Sequence, residues 1–342
     1  MEAKKIRVAI VDDSAFMRKV IKDLLEEKGF TVVATGRNGK DAISIAAKRI
    51  ADVMTLDVQM PLMNGLEALK RIMTIAPLPI IMVSSLTKQD AQITLEALSL
   101  GAFDFVTKPG GPISLDFNIV ANQLAEKIVL AASYNLTSLK KPQPLSITPH
   151  AKREMKYDLV IIGASTGGPR ALDHVIPYLP AQFPLPVVIV QHMPSKFTTT
   201  LAKRLNEESK IKVSEVTEKT KARPSNSYVA TGGKHLETFK EDGAIVLNPV
   251  DGPKINSVKP AVDYTLMSAA KNDLSVLSVI LTGMGKDGTQ GLKEFKREKV
   301  TTIVESQNTA VVYGMPKSVI KAGLADYVLN LEDIPSKMIE LI

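Results

Sequence analysis

Two doubly wound α/β domains in tandem are what the sequence predicts, and three observations predict them. Short apolar runs recur roughly every two dozen residues, with amphipathic stretches between them. The pattern is interrupted once, at residues 134–156, by a basic segment that contains Pro142, Pro144 and Pro149. A chain of 342 residues is also long enough to build two separate cores.

In the first region, residues 1–133, strands are expected at Ile6–Val11, Thr31–Thr35, Val53–Leu56, Ile80–Val83 and Phe103–Val106. The intervals near 15–28, 38–49, 65–75, 89–100 and 117–132 have helical periodicity. Strand followed by helix, five times over, implies parallel strands with helical crossovers, a (βα)5 flavodoxin-like domain. The second region, residues 157–342, starts the alternation again. Its strands are expected at Asp158–Ile162, Pro186–Gln191, Val276–Leu281 and Thr301–Val304, and its helices near 170–178, 195–207, 261–271, 287–297 and 316–322. Between Lys212 and Leu247 the pattern changes to short alternating segments with turns at Gly232-Gly233 and Asp242-Gly243. That stretch reads as an antiparallel hairpin inserted into a Rossmann-like α/β domain.

Composition narrows the chemistry. The chain has no cysteine, which excludes a disulfide framework, thiolate metal sites and a cysteine nucleophile. The net charge of +7 does not mark a nucleic-acid binder, because residues 136–156 alone hold five basic residues against one acidic. With no tryptophan there are few stacking platforms for single strands either. The charged N-terminus leads straight into a strand, and no apolar run approaches the roughly 18–20 residues of a membrane span. The expected location is the cytoplasm, without membrane insertion.

Strand ends of a parallel sheet converge on one edge, where ligands bind. In the first region that edge collects Asp12 and Asp13 after the first strand, Asp57 after the third, Ser84 after the fourth and Lys108 after the fifth. Acids at such positions serve as helix caps, but clustered carboxylates repel, and a hard divalent cation, Mg²⁺, relieves that repulsion. The lysine and hydroxyl then suit the oxygens of a phosphoryl group on Asp57. These residues resemble the receiver domain of response regulators over about 125 residues. The resemblance implies Asp57 as phosphoacceptor, with Mg²⁺ held by Asp13, Asp57 and the Gln59 backbone carbonyl and with Asp12 close by. It also implies Ser84 and Phe105 as switch residues, Lys108 as the phosphate sensor and a sensor histidine kinase as phosphodonor.

In the second region, Gly163-Ala-Ser-Thr-Gly-Gly-Pro169 takes a strand into a sharp, glycine-flanked turn that exposes Ser165. His192 ends the next parallel strand, and Asp287 follows the glycine-rich turn after Val276–Leu281. Asp287 reads as the cap of the helix it precedes or as a site acid. Serine, histidine and acid at three strand ends form the logic of base-activated acyl transfer. Their order along the chain differs from the serine–acid–histidine order of α/β-hydrolases. A dinucleotide-binding loop fits poorly, because Ser165 occupies the middle glycine and Gln191-His192 stands where a ribose-binding acid belongs.

Gly163–Pro169, Gln191-His-Met-Pro194, Thr282–Gly288 and Tyr313-Gly-Met-Pro316 resemble the chemotaxis protein-glutamate methylesterase (CheB) family, and with the receiver-like region the resemblance covers essentially the whole chain. It implies Ser165 as nucleophile, His192 as general base and Asp287 as its orienting partner, with Thr166 and Met284 shaping the oxyanion site. The implied function is phosphorylation-activated hydrolysis of glutamate γ-methyl esters on chemotaxis receptors, with deamidation of receptor glutamines and no cofactor for the ester chemistry. Two stretches depart from the family pattern. Thr231 replaces a usual proline and Ala261 a common serine, both expected to lie away from the three catalytic side chains.

Overall fold

The structure is a computed structural model that describes residues 6–108, 115–134 and 156–342. It divides into two compact units, Met1–Ser138 and Leu139–Ile342. Apart from its two end residues, the basic segment 134–156 lies outside the described residues, and His150 with it.

In the first unit each apolar run becomes a strand, and the polar-capped stretch after it a helix. The order is β1 (Arg7–Val11), α1 (Ala15–Glu27), β2 (Thr31–Gly36), α2 (Gly39–Ala47), β3 (Val53–Asp57), α3 (Gly65–Ile75), β4 (Ile80–Ser84), α4 (Lys88–Ser99), β5 (Asp104–Thr107) and α5 (Leu115–Ala132). All pairings are parallel, in the order 2-1-3-4-5. β3 and β4 are buried along their whole length, so they read as continuous apolar runs rather than alternating ones. Side chains of Ser14, Asn38, Asn64 and Thr87 accept backbone N–H groups at the starts of α1 to α4. Each such cap contributes about 1 kcal/mol and fixes where the strand-end loop stops.

The second unit contains β6 (Leu159–Ala164), α6 (Gly168–Asp173), β7 (Val187–Gln191), α7 (Ser195–Glu208), β8 (Lys212–Val216), β9 (Thr220–Lys221), β10 (Asn226–Ala230), β11 (His235–Glu241), β12 (Ala244–Val250), α8 (Val262–Lys271), β13 (Val276–Ile280), α9 (Thr289–Lys293), β14 (Val300–Glu305), α10 (Met315–Lys321), β15 (Tyr327–Leu329) and α11 (Ile334–Leu341). Seven strands make a parallel sheet ordered 15-14-13-6-7-10-8. The chain passes from β6 to β7 on one side and reaches β13 on the other, so the crevice at the carboxyl end of β6 is the switch point of the sheet.

The expected hairpin is real but shorter than the sequence suggested. It is β11–β12, which with β9 forms a separate antiparallel sheet. Lys212–Val216 and Asn226–Ala230 instead join the parallel sheet beside β7. β8 lies at the edge and buries only Val213 and Val216, so it lacks the continuous apolar run of the central strands. β15 and α11 carried no sequence expectation. A three-residue strand with Val328 at 48% exposure offers too little periodicity to read. The helix expected over 287–297 is confined to Thr289–Lys293.

Candidate active site

Ser165 is the first residue beyond β6. Gly167 has a left-handed φ of 79°, and a Cβ at Gly168 would come within 2.0 Å of the Gln191 side-chain oxygen, so this turn needs both glycines. Pro169 then enters the first turn of α6, where its missing N–H costs nothing. The Ser165 N–H donates to the Thr282 carbonyl at 3.0 Å, and Gln191 Nε2 donates to the Ser165 carbonyl at 3.0 Å. The Thr282 hydroxyl donates to the Thr166 carbonyl at 2.9 Å. The ends of β6, β7 and β13 are thereby tied together around the serine.

His192 follows β7 and Asp287 follows β13, on opposite sides of β6. Their side chains nevertheless meet, with His192 Nε2 and Asp287 Oδ2 2.8 Å apart. The pair spans the end of β6, the strand that delivers Ser165. Ser165 is half-buried, and its hydroxyl forms no hydrogen bond with another described residue. Thr166 is buried beside it, and Met284 is half-buried in the turn that opens at Thr282.

Asp287 does cap a helix, but not the one that follows it. Oδ2 accepts the Val262 N–H at 2.6 Å and Oδ1 the Asp263 N–H at 3.0 Å, so the acid caps α8. At α9 the capping position is Gly288, which has no side chain to offer. Burial alone would raise the Asp287 carboxyl, but the His192 ring and these two N–H groups outweigh it and hold it below the usual range. Ala261 therefore does not lie away from the catalytic side chains, as expected. It is the capping residue of α8, and because its methyl cannot cap, Asp287 does so alone.

Two residues next to Asp287 escaped the sequence reading. Asn256 Nδ2 donates to both Asp287 Oδ1 (3.0 Å) and Asp263 Oδ2 (2.8 Å). The Asp263 carboxyl, 2% exposed, also accepts the Gly291 N–H at 2.7 Å. Burial pushes it upward, the Gly291 N–H opposes that, and its neighbour Asp287 adds to the rise. Asp263 stood in a noted motif without a role, while Asn256 reaches the site from a loop with a left-handed φ of 50° and no periodic signal. Of the remaining histidines, His174 Nδ1 lies 2.9 Å from the Arg170 carbonyl, and His235 is buried and stacked on Tyr264.

In the first unit, ligand oxygens of Asp12, Asp13 and Asp57 lie within 4.8 Å of one another. Lys108 Nζ is 2.8 Å from Asp57 Oδ2 and 3.0 Å from Asp12 Oδ2. Ser84 is fully buried and its hydroxyl accepts that of Thr94 at 2.8 Å. Phe105 is buried, with the Lys127 ammonium 5.4 Å from its ring centroid. Gln59 Nε2 donates to Asp90 Oδ1 at 2.5 Å, linking the loop after β3 to α4. Three oxygen-donor carboxylates with one ammonium are a donor set that fits a hard divalent cation.

Burial pushes the Asp57 carboxyl up to about 6, with Asp12 and Asp13 adding to the rise and Lys108 opposing it. The folded protein thus binds this proton more tightly than the unfolded chain does. The stability it contributes is complete below the unfolded value of 3.8 and is lost as pH rises through about 6. At pH 7 without divalent cation the ionised group costs about 3 kcal/mol. Asp57→Asn is expected to raise the melting temperature at pH 7 by several degrees and to change little near pH 4. Mg²⁺ should stabilise the parent more than the variant. Scanning calorimetry at the two pH values tests this; a lower melting temperature for the variant at pH 7 would reverse the sign.

Comparison with known proteins agrees with this layout. Residues 8–118 match the family model of the response regulator receiver domain, and residues 160–338 that of the CheB methylesterase. A Thermotoga maritima protein named protein-glutamate methylesterase/protein-glutamine glutaminase is 48% identical, covering 100% of both chains. A Bacillus subtilis protein of the same name is 45% identical over 97% of each chain. The crystal structure of the T. maritima CheB methylesterase catalytic domain, 48% identical, superposes with a TM-score of 0.53, covering 54% of this chain and 99% of that one. The chain belongs to the CheB methylesterase family, with a response regulator receiver domain preceding the methylesterase domain.

Proposed function

We propose that the chain is a phosphorylation-activated serine hydrolase that demethylates glutamate γ-methyl esters on chemotaxis receptors and deamidates receptor glutamines. The observation that carries the reading is the His192–Asp287 pair spanning the end of the strand that delivers Ser165. In this reading residues 1–133 are the receiver, 134–156 the connection and 157–342 the catalytic domain.

Asp287 is held ionised, so it accepts a proton-bearing Nε2 and leaves Nδ1 as the basic nitrogen of His192. Ser165 Oγ attacks the ester carbonyl while Nδ1 takes its proton. Asp287 orients the ring and stabilises the imidazolium. Negative charge develops on the former carbonyl oxygen, and backbone N–H groups at Thr166 and Met284 are suited to receive it. The Met284 N–H has no other partner among the described residues. The imidazolium returns the proton to the departing methoxide, and methanol leaves. Water, deprotonated by the same nitrogen, then attacks the acyl-serine and releases glutamate. A glutamine amide follows the same course with ammonia as the leaving group.

Control comes from Asp57, which receives a phosphoryl group from a sensor histidine kinase. Asp12, Asp13, Asp57 and the Gln59 carbonyl would hold Mg²⁺, which when bound neutralises phosphoryl oxygens. Lys108 takes a phosphoryl oxygen when the group arrives, and Ser84 and Phe105 respond as switch residues. The reading puts the enzyme in the cytoplasm; among the described residues no helix is long and apolar enough to cross a membrane. Methanol release from a methylated receptor, measured with and without a small-molecule phosphodonor and Mg²⁺, is the test. Release is expected to rise with the phosphodonor in the parent and to stay at its basal rate in Asp57→Asn. Equal hydrolysis of a simple methyl ester with none from the receptor would point to a small-molecule esterase instead.

A further inference from the structure

Glu305 ends β14, the strand next to β13, and is fully buried. None of the chemistry above uses it. Its Oε2 accepts the Thr282 N–H at 2.7 Å. Oε1 has no donor in hydrogen-bond geometry, although the Thr309 side chain is near enough to favour the ionised form. A buried carboxyl with a single well-formed hydrogen bond is an expensive way to end a strand, and an apolar residue would cost less. Burial pushes this carboxyl up to about 7, the Thr282 N–H and Thr309 oppose the rise, and Glu332 adds to it. Glu332, on the turn Leu331–Asp333, is the charged side chain that acts on it.

What Glu305 grips is the residue that joins the two turns of the site. Besides donating its N–H to Glu305, Thr282 accepts the Ser165 N–H at its carbonyl, at 3.0 Å. Its hydroxyl donates to the Thr166 carbonyl at 2.9 Å and accepts the Val312 N–H at 2.9 Å. Thr282 also opens the turn that carries Met284 and Asp287. An ionised acceptor holds an N–H roughly twice as strongly as a neutral one.

We propose that Glu305 is a positioning residue: its buried carboxylate, acting through Thr282, fixes the Met284–Asp287 turn against the Ser165 turn, and the serine is fully reactive only while that carboxylate is charged. The inference rests on the reading of Ser165 as nucleophile. It predicts an effect on kcat with KM nearly unchanged, because Glu305 lies behind the site and does not face the substrate.

The test uses a fluorophosphonate, which labels activated serines without needing the receptor. Labelling rates of the full chain are followed from about pH 5.5 to 8.5 for the parent, Glu305→Gln, Glu305→Leu and a Ser165→Ala control. Glutamine has the same shape and accepts the Thr282 N–H through its carbonyl, but it does not titrate. Near pH 8, Glu305→Gln, whose acceptor is neutral, should label at least about threefold more slowly than the parent, and Glu305→Leu, which has no acceptor, at least about tenfold more slowly. As the pH falls below about 7 the parent's carboxylate is protonated and its advantage is lost, so the ratio of its labelling rate to that of Glu305→Gln should fall toward one. In the parent, the Thr282 amide proton should shift with a midpoint near neutral pH in an NMR titration, a readout that needs no variant to fold. Identical pH profiles for the parent and Glu305→Gln, or a flat Thr282 amide, would overturn the inference alone. A parent that is not labelled at Ser165 would overturn the nucleophile reading and the inference with it.

Discussion

Replacing Ser165 by alanine is expected to lower kcat for methyl-ester hydrolysis by roughly 10⁴–10⁶-fold, since losing the nucleophile leaves only binding and the oxyanion donors to catalyse. The fold should hardly notice. Ser165 is half-buried, its backbone bonds to Thr282 and Gln191 do not involve the hydroxyl, and the hydroxyl makes no bond with the described residues. Such a deletion changes stability by about 0.5 kcal/mol or less. Methanol release and thermal melting on the same preparation separate the two effects. Turnover within tenfold of the parent would remove Ser165 from the chemistry.

Asp287 should behave in the opposite way, because it has two roles. Asp287→Asn keeps the shape but removes the charge that faces His192, and the loss of a triad acid costs about 10⁴ in kcat. Asp287→Ala should lose the same activity and also destabilise the protein. It leaves the Val262 and Asp263 N–H groups unpaired at the buried start of α8 and takes one acceptor from Asn256. An unpaired buried donor costs about 1–3 kcal/mol, and Ala261 has no group to substitute. The expected result is a kcat near the Asn variant's with a clearly lower melting temperature. A drop in melting temperature with kcat changed less than tenfold would leave Asp287 as a cap alone.

The parts of this protein readable in the sequence are those set by local rules. Strands buried on both faces announce themselves as apolar runs, and Asp57, Ser165 and His192 stand at or next to strand ends where topology concentrates function. Residues joined only by tertiary packing left no such mark. Asn256 meets Asp287 across 31 positions of sequence, and Glu305 meets Thr282 across 23. β8 was misread for a related reason: it lies at the sheet edge and buries only Val213 and Val216, too little to form a continuous apolar run. The helix cap at α8 was hidden because the capping group belongs to another loop.

That remote cap bears on how related sequences should be read. A copy that had lost its activity but still had to fold would keep the acid of position 287, because α8 depends on it whatever the fate of the chemistry. Nothing in the architecture would hold the serine in the same way. Drift after loss of function should therefore erase position 165 first, and an aspartate at 287 is weak evidence of a working enzyme. Inactive descendants are to be sought among chains that retain the acid and have changed the serine.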